Sequence, residues 1–282
     1  MNKYLIAFFT IIFSSVVSVA DTSQLKNNFF NSLENFFDGK FEGTDISIKS
    51  KEGDKPEIGI KTFKPLNDSE SQTTFFQGSF FTHDDRETLN LGLGKRILSD
   101  DESFIYGLNA FYDHELDYDH QRGSIGVEIK SSIIELNTNH YFAISGEKTG
   151  KNNVKEEVAD GYDLEIGAHI PYMPTAKIYT KLFEYDIPGG ADFEGLEYSS
   201  KIGIPNSGID FEVGYKDFGN ASYDDQWFFN LTFNFNKMNP NTSFISDEAF
   251  ERVSMKEKKY EKVRRENLIV KSKSFSVKAG GF

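Results

Sequence analysis

Two stretches of the chain gather residues that can move protons or hold a cation: His83-Asp84-Asp85, and Asp113-His114-Glu115-Leu116-Asp117-Tyr118-Asp119-His120. Paired carboxylates beside an imidazole can activate water, as in an aspartyl-type peptidase, or offer ligands to a divalent ion such as calcium. The same residue types are ordinary in polar loops, and that plainer reading is preferred. The five histidines (83, 114, 120, 140 and 169) show no HExxH spacing, and no GxSxG, phosphate loop or dinucleotide fingerprint is present. No catalytic residue, metal site or cofactor is assigned, and the expectation is a protein that is not an enzyme.

What those residues do depends on the elements that hold them, and the compartment comes first. Lys3 precedes an almost unbroken apolar run, Leu5 to Val17, and Ala20 stands before the charged Asp21. Residues 1–20 thus read as a secretory signal peptide; the competing reading is an N-terminal anchor. The remainder carries no apolar stretch long enough for a membrane-spanning helix, and the mean hydropathy is -0.48. Yet 28 Phe and 13 Tyr are a heavy aromatic load, and the cysteine count is zero, so no disulfide framework staples an exported fold. Membrane β-barrels reconcile these facts, because half their strand residues are polar and face the lumen.

The periodicity agrees. Trp227, Phe229, Leu231, Phe233 and Phe235 alternate with Phe228, Asn230, Thr232 and Asn234. Similar period-two alternation runs through Ile125–Ile129, Leu89–Leu93, Tyr162–Ile170 and Ile209–Tyr215. A soluble sandwich would alternate likewise, so count and spacing decide. Twelve strands are expected, at 42–50, 57–66, 71–82, 87–98, 103–113, 120–130, 133–145, 161–171, 175–185, 195–205, 209–216 and 226–236. Their lengths suit a tilted membrane-spanning strand, and their number is even. Short turns (67–70, 100–102, 171–174, 206–208) follow even-numbered strands, and longer loops (146–160, 186–193, 217–225) follow odd ones. The predicted fold is an all-β, twelve-stranded antiparallel transmembrane barrel over 41–237. It is preceded by a leader (21–40) whose residues 25–37 have helical spacing, read as a periplasmic amphipathic helix or a mobile leader. The closing strand ends at Phe233-Asn-Phe235; a rival register using 275–282 would put Lys278 at mid-depth.

The runs Arg86-Glu-Thr-Leu-Asn-Leu-Gly-Leu-Gly-Lys-Arg96, Tyr106-Gly-Leu-Asn-Ala-Phe-Tyr-Asp113 and His120-Gln-Arg-Gly-Ser-Ile-Gly-Val-Glu128 occur in that order. Asn139-His-Tyr-Phe142, Asp160-Gly-Tyr-Asp-Leu164, Pro171 with Pro174, and Arg264-Arg-Glu-Asn-Leu-Ile-Val270 follow. This ordered set resembles the β-domain of inverse autotransporters, the intimin and invasin family. The resemblance implies a twelve-stranded barrel whose C-terminal linker returns through the pore and displays a passenger outside. It makes Arg86, Asn90, Arg96, Asn109, Asp113, Arg122, Glu128 and Asp163 family-motif positions, and the inward Arg96, Arg122, Glu128 and Asp163 are expected to form lumenal ion pairs. The family's immunoglobulin-like arrays and peptidoglycan-binding module have no counterpart in these 282 residues, so adhesion through a passenger is not carried over.

The last part of the chain (238–282) reads as a basic linker. Residues 251–282 hold ten Lys or Arg and four Glu, a charge of +6. Removing that and the signal's +1 from the overall -13 leaves -20 on residues 21–250. A basic tail and an acidic barrel attract, more strongly in a low-dielectric lumen. The tail, through Lys256, Lys258, Lys259, Lys262, Arg264 and Arg265, is therefore expected to lie in the pore and plug it; the competing reading is a solvated tail in the periplasm. Two functions stay open: a translocator that exposes its C-terminal segment, or a porin-like channel for small polar solutes plugged by that segment. Expected partners are outer-membrane lipid, the outer-membrane barrel assembly machinery and an unidentified surface partner, with the barrel itself a monomer. The acidic balance argues against nucleic acid.

Overall fold

The computed structural model describes residues 43–205, 207–235 and 243–272. The expected signal peptide, the leader helix and the end of the tail lie outside the described residues. Fourteen strands follow in order: β1 (Thr44–Lys51), β2 (Glu57–Asp68), β3 (Gln72–His83), β4 (Arg86–Leu98), β5 (Phe104–Glu115), β6 (His120–Ser131), β7 (Ile134–Ala143), β8 (Lys148–Thr149), β9 (Lys155–Glu156), β10 (Asp160–Ile170), β11 (Met173–Asp186), β12 (Phe193–Ile204), β13 (Ile209–Phe218) and β14 (Gln226–Asn234). Twelve of them close into one antiparallel barrel, with β1 paired to both β2 and β14. The other two, β8 and β9, form a two-stranded hairpin within the long β7–β10 loop.

Each barrel strand coincides with one expected from alternation. Closure uses the register read from Phe233, which pairs with Ile46 of β1. Closure also leaves no unpaired edge, which a sheet in lipid cannot tolerate.

Alternation sorts the side chains. Along β5, Tyr106 and Leu108 are 49% and 64% exposed, while Ile105 and Asp113 are buried. Leu93, Ile125, Ile166, Ile178, Val213, Trp227 and Phe229 also face outward and exposed. An apolar outer wall around a polar interior inverts the soluble pattern and fits a hydrocarbon surround.

Pairing register then sets which lumenal residues meet. Asn90, Asp113 and Arg122 lie in one row across β4, β5 and β6. Another row runs Arg96, Gly107, Glu128, Asn137, Glu165, Lys181, Glu197 and Lys216, from β4 around to β13. Charged residues girdle the interior because strands far apart in sequence share one level.

Candidate functional site: the lumen and its C-terminal strand of chain

Within the second row, Arg96 forms ion pairs with Glu128 through Nε at 2.5 Å and Nη2 at 3.1 Å, both side chains wholly buried. Gly107 stands between them in the register, and a Cβ there would come within 2.5 Å of the Glu128 side chain. The glycine makes room for the pair. In the first row Arg122 donates to Asp113 at 2.9 Å and lies over the Tyr141 ring, 4.4 Å from its centre. Asp163 was expected in an ion pair; its hydrogen bonds instead come from the Tyr141 hydroxyl and the Asn139 amide, both at 2.7 Å. Asn139 sits directly opposite it in the β7–β10 register, so neutral donors reach it first.

Residues 255–272 run through this interior from one rim to the other. At the short-turn end the Met255 amide donates to the Glu102 carbonyl at 2.9 Å, and a 3₁₀ turn (Lys256–Tyr260) follows. Lys259 donates to the Glu70 carbonyl at 3.2 Å and meets Asp68, while the Tyr260 hydroxyl bonds Asp68 at 2.6 Å. From there to Asn267 the segment pairs with no strand among the described residues, and lumenal side chains bond its backbone. Arg96 donates to the carbonyls of Lys259 and Glu261. Gln77 accepts from the Val263 amide at 2.8 Å; Asn139 donates to the Arg264 carbonyl at 3.1 Å. Arg122 donates to the Glu266 carbonyl at 2.8 Å, Tyr141 accepts its amide at 2.7 Å, and Asn90 donates to the Asn267 carbonyl at 3.0 Å. An extended segment excluded from water needs every one of these partners.

Side chains fix the segment's charge register. Lys262 meets Asp45 at 2.7 Å, and Arg264 bridges Glu165 and Glu212, stacked 3.8 Å from the Tyr179 ring centre. Arg265 forks onto Asp113 at 2.8 and 2.7 Å and donates to Ser124. Of the expected six, Lys256 reaches no closer than 3.9 Å to Glu70 at the rim, and Lys258 pairs with Glu261 of its own segment.

At the long-loop end the sequence reading missed a cluster. Lys271 pairs with Glu115 and lies 3.9 Å from Glu156; Arg86 forks onto Glu156 at 2.6 and 2.8 Å and reaches Glu115 at 2.8 Å. His120 completes it, Nε2 3.2 Å from Glu156. Glu115, His120 and Glu156 have the types and proximity of a metal-ligand set. Two side-chain cations already neutralise its two carboxylates, so the chemistry present is that of an ion-pair hub. Above it the loop grips the backbone: Ala159 donates to the Val270 carbonyl at 3.0 Å, Ser272 to that of Glu157 at 2.8 Å, and Val158 bridges Lys271. Val270 packs among Tyr141, Phe183, Tyr185, Ile187 and Phe193. Lys271 beside Lys273 gave no signal of its own, and Glu156 sits in a two-residue strand too short to show alternation.

Of the residues first considered for chemistry, Asp113, Glu115 and His120 belong to this buried network, and His83, Asp84, Asp85 and Asp119 are tied into surface contacts. Asp84 and Asp85 bind Lys55 and Lys151, and His83 faces Asp54 at 3.3 Å. Asp119 is bonded by Lys148, Gln121 and His114, which hold its carboxyl down at about 2. Asn109 lines the lumen beside Gly126.

A closed twelve-stranded barrel with an apolar exterior and a charged interior defines a Gram-negative outer-membrane protein. The chain belongs to the inverse autotransporter β-domain family, which it matches over residues 14–267. It is similar to an invasin of Yersinia enterocolitica, 27% identical over 54% of this chain and 18% of that one. It is also similar to a putative attaching and effacing protein homolog of Escherichia coli K12 (27%; 48% and 47%) and to the inverse autotransporter adhesin YeeJ of the same strain (26%; 46% and 5%). The chain thus matches less than half the length of each of these relatives. A membrane protein solved in work on the mechanism of in-meso crystallization shares the fold, with a TM-score of 0.66 and 20% identity over 81% of this chain and 98% of that one.

Proposed function

We propose that this barrel is a translocator and anchor that carries its C-terminal segment through the pore to the cell surface. The observation that supports this reading is the unbroken series of contacts from Met255 at one rim to Ser272 at the other. Residues 262–271, extended at about 3.3 Å each, span about 30 Å, the thickness of the hydrocarbon layer. Six lumenal side chains, Gln77, Asn90, Arg96, Arg122, Asn139 and Tyr141, bind main-chain atoms, which every residue offers. Such a lining tolerates many sequences while they pass, and the Arg264, Arg265 and Lys271 ion pairs then stop the chain in one register. Tail and loops would meet any surface partner.

An epitope tag appended after Phe282 tests the proposal in intact cells. Antibody labelling and external protease cleavage without permeabilisation are expected. Labelling confined to permeabilised cells would place the tail's end in the periplasm and overturn the translocator reading.

A further inference from the structure

The lumen's two sides differ in dryness. On the side that grips the tail, the side chains of Arg96, Arg122, Asp113 and Arg265 are each 0% exposed. On the opposite side, formed by β11–β14 with β1 and β2, Lys51 retains 14%, Lys181 15% and Lys201 30%. Water therefore reaches these lysines, while the four groups around the middle of the tail are dry. The tail's cations divide between the two sides: Arg265 and Lys271 meet Asp113 and Glu115, and Lys262 and Arg264 meet Asp45 and Glu212.

The wet wall bears seven inward lysines: Lys49, Lys51, Lys61, Lys177, Lys181, Lys201 and Lys216, with Lys177 paired to Glu135 of β7. Among its carboxylates, Asp45 and Glu212 are met by the tail's Lys262 and Arg264. Lys51 pairs with Glu57, Lys181 and Lys216 share Glu197, and Lys201 pairs with Asp210. Lys49 and Lys61 make no ion pair among the described residues; they lie 4.3 and 5.4 Å from the ring centres of Phe228 and Phe81. Glu266 is the tail carboxylate within electrostatic reach of Lys216, Lys181, Lys49 and Lys51.

We propose that the threaded pore keeps a narrow water path along this lysine-bearing wall that passes small inorganic anions in preference to cations. Charged side chains lining a constriction set ion preference because low-dielectric walls focus their field on the path. The aromatic cluster of Phe183, Phe193 and Phe218 narrows the loop end and keeps the conductance small. The inference rests on the tail's place in the lumen, and not on the tail reaching the surface.

The full chain reconstituted in a planar bilayer under a KCl gradient tests it. Discrete conductance steps and a reversal potential on the chloride side are expected. Lys49→Glu with Lys61→Glu should move that potential toward potassium, and Glu266→Gln should move it further toward chloride. Lys95→Gln, on the lipid face, should leave it in place. Unheated gel mobility shows that each variant still forms a barrel. A folded barrel without steps, cation preference in the parent, or a potential that neither lumenal variant moves would overturn the proposal. An anion-selective pore with a tag unlabelled outside would remove the translocator reading and leave this one standing.

Discussion

The buried Arg96–Glu128 pair shows what a lumenal residue contributes. Taking two charges from water is costly, and the fork geometry with the Lys259 and Glu261 carbonyls offsets that cost. Removing Arg96 leaves the buried Glu128 with Lys130 alone, 3.4 Å away, so Arg96→Met should destabilise the barrel by up to about 3–5 kcal/mol. Adding Glu128→Leu should recover part of the loss, read from denaturant unfolding in detergent; a double variant no better than the single would sink the account. Gly107→Ala pushes a methyl against Glu128 and should cost about 1–3 kcal/mol by the same measurement. At the surface, Asp119 titrates near 2 in the folded loop against an ordinary 3.8. A depressed carboxyl contributes stability that is full above its ordinary value and vanishes as pH falls through the folded one. Protection of the amides around 116–121, taken relative to their intrinsic exchange at each pH, should therefore hold down to about pH 4 and fall toward about pH 2. Protection that is flat across that window would show that the Lys148 and His114 contacts do not order the turn.

Elements carry the next level, and the β7–β10 loop is the one to perturb. Its β8–β9 hairpin brings Glu156 over the pore mouth, where Arg86 and His120 hold it and Lys271 lies alongside. Lys271→Met leaves Glu115 and Glu156 with Arg86 and His120. Protease cutting at the loop end of the tail should rise several-fold, equivalent to about 1–2 kcal/mol of local opening, while barrel unfolding stays nearly unchanged. Equal cutting of parent and variant would show that the backbone ladder at 157–159 holds the tail unaided. The twelve barrel strands were legible in the sequence because period-two alternation is a local signal, and Trp227–Phe235 announces its outward face without help from any neighbour. The lumenal network was legible only in kind. Arg265 meets Asp113 across 152 positions, and Asp163 meets Asn139 by the register of two strands. Neither pairing leaves a trace in the spacing of either segment. The tail's charge pointed to the pore, yet nothing in Val270-Lys-Ser-Lys273 sets Lys271 apart from Lys273 until Glu115 and Glu156 stand beside it.

For the whole molecule the question is whether the tail is core or filler. A soluble domain deprived of its central segment would collapse or unfold, because nothing else can fill the space. A closed barrel differs: its backbone hydrogen bonds lie between strands, its apolar surface faces lipid, and water can enter the emptied lumen. Water would rehydrate Asp113, Arg122 and Asn90 once Arg265 and the tail carbonyls are gone, so the loss should fall well below the sum of the severed contacts. Deleting residues 251–282 should thus leave a folded barrel that melts at a lower temperature and conducts several-fold more. Changing Lys256, Lys258, Lys259, Lys262, Arg264 and Arg265 to Gln should raise conductance less, because the Gln77, Asn139 and Tyr141 contacts to the tail backbone survive. Single-channel recording of parent, neutralised and deleted forms orders the three. Conductance equal in all of them would mean that the segment does not occupy the conducting path. Loss of the folded form on deletion would mean that the barrel needs its own C-terminal segment as other proteins need a core.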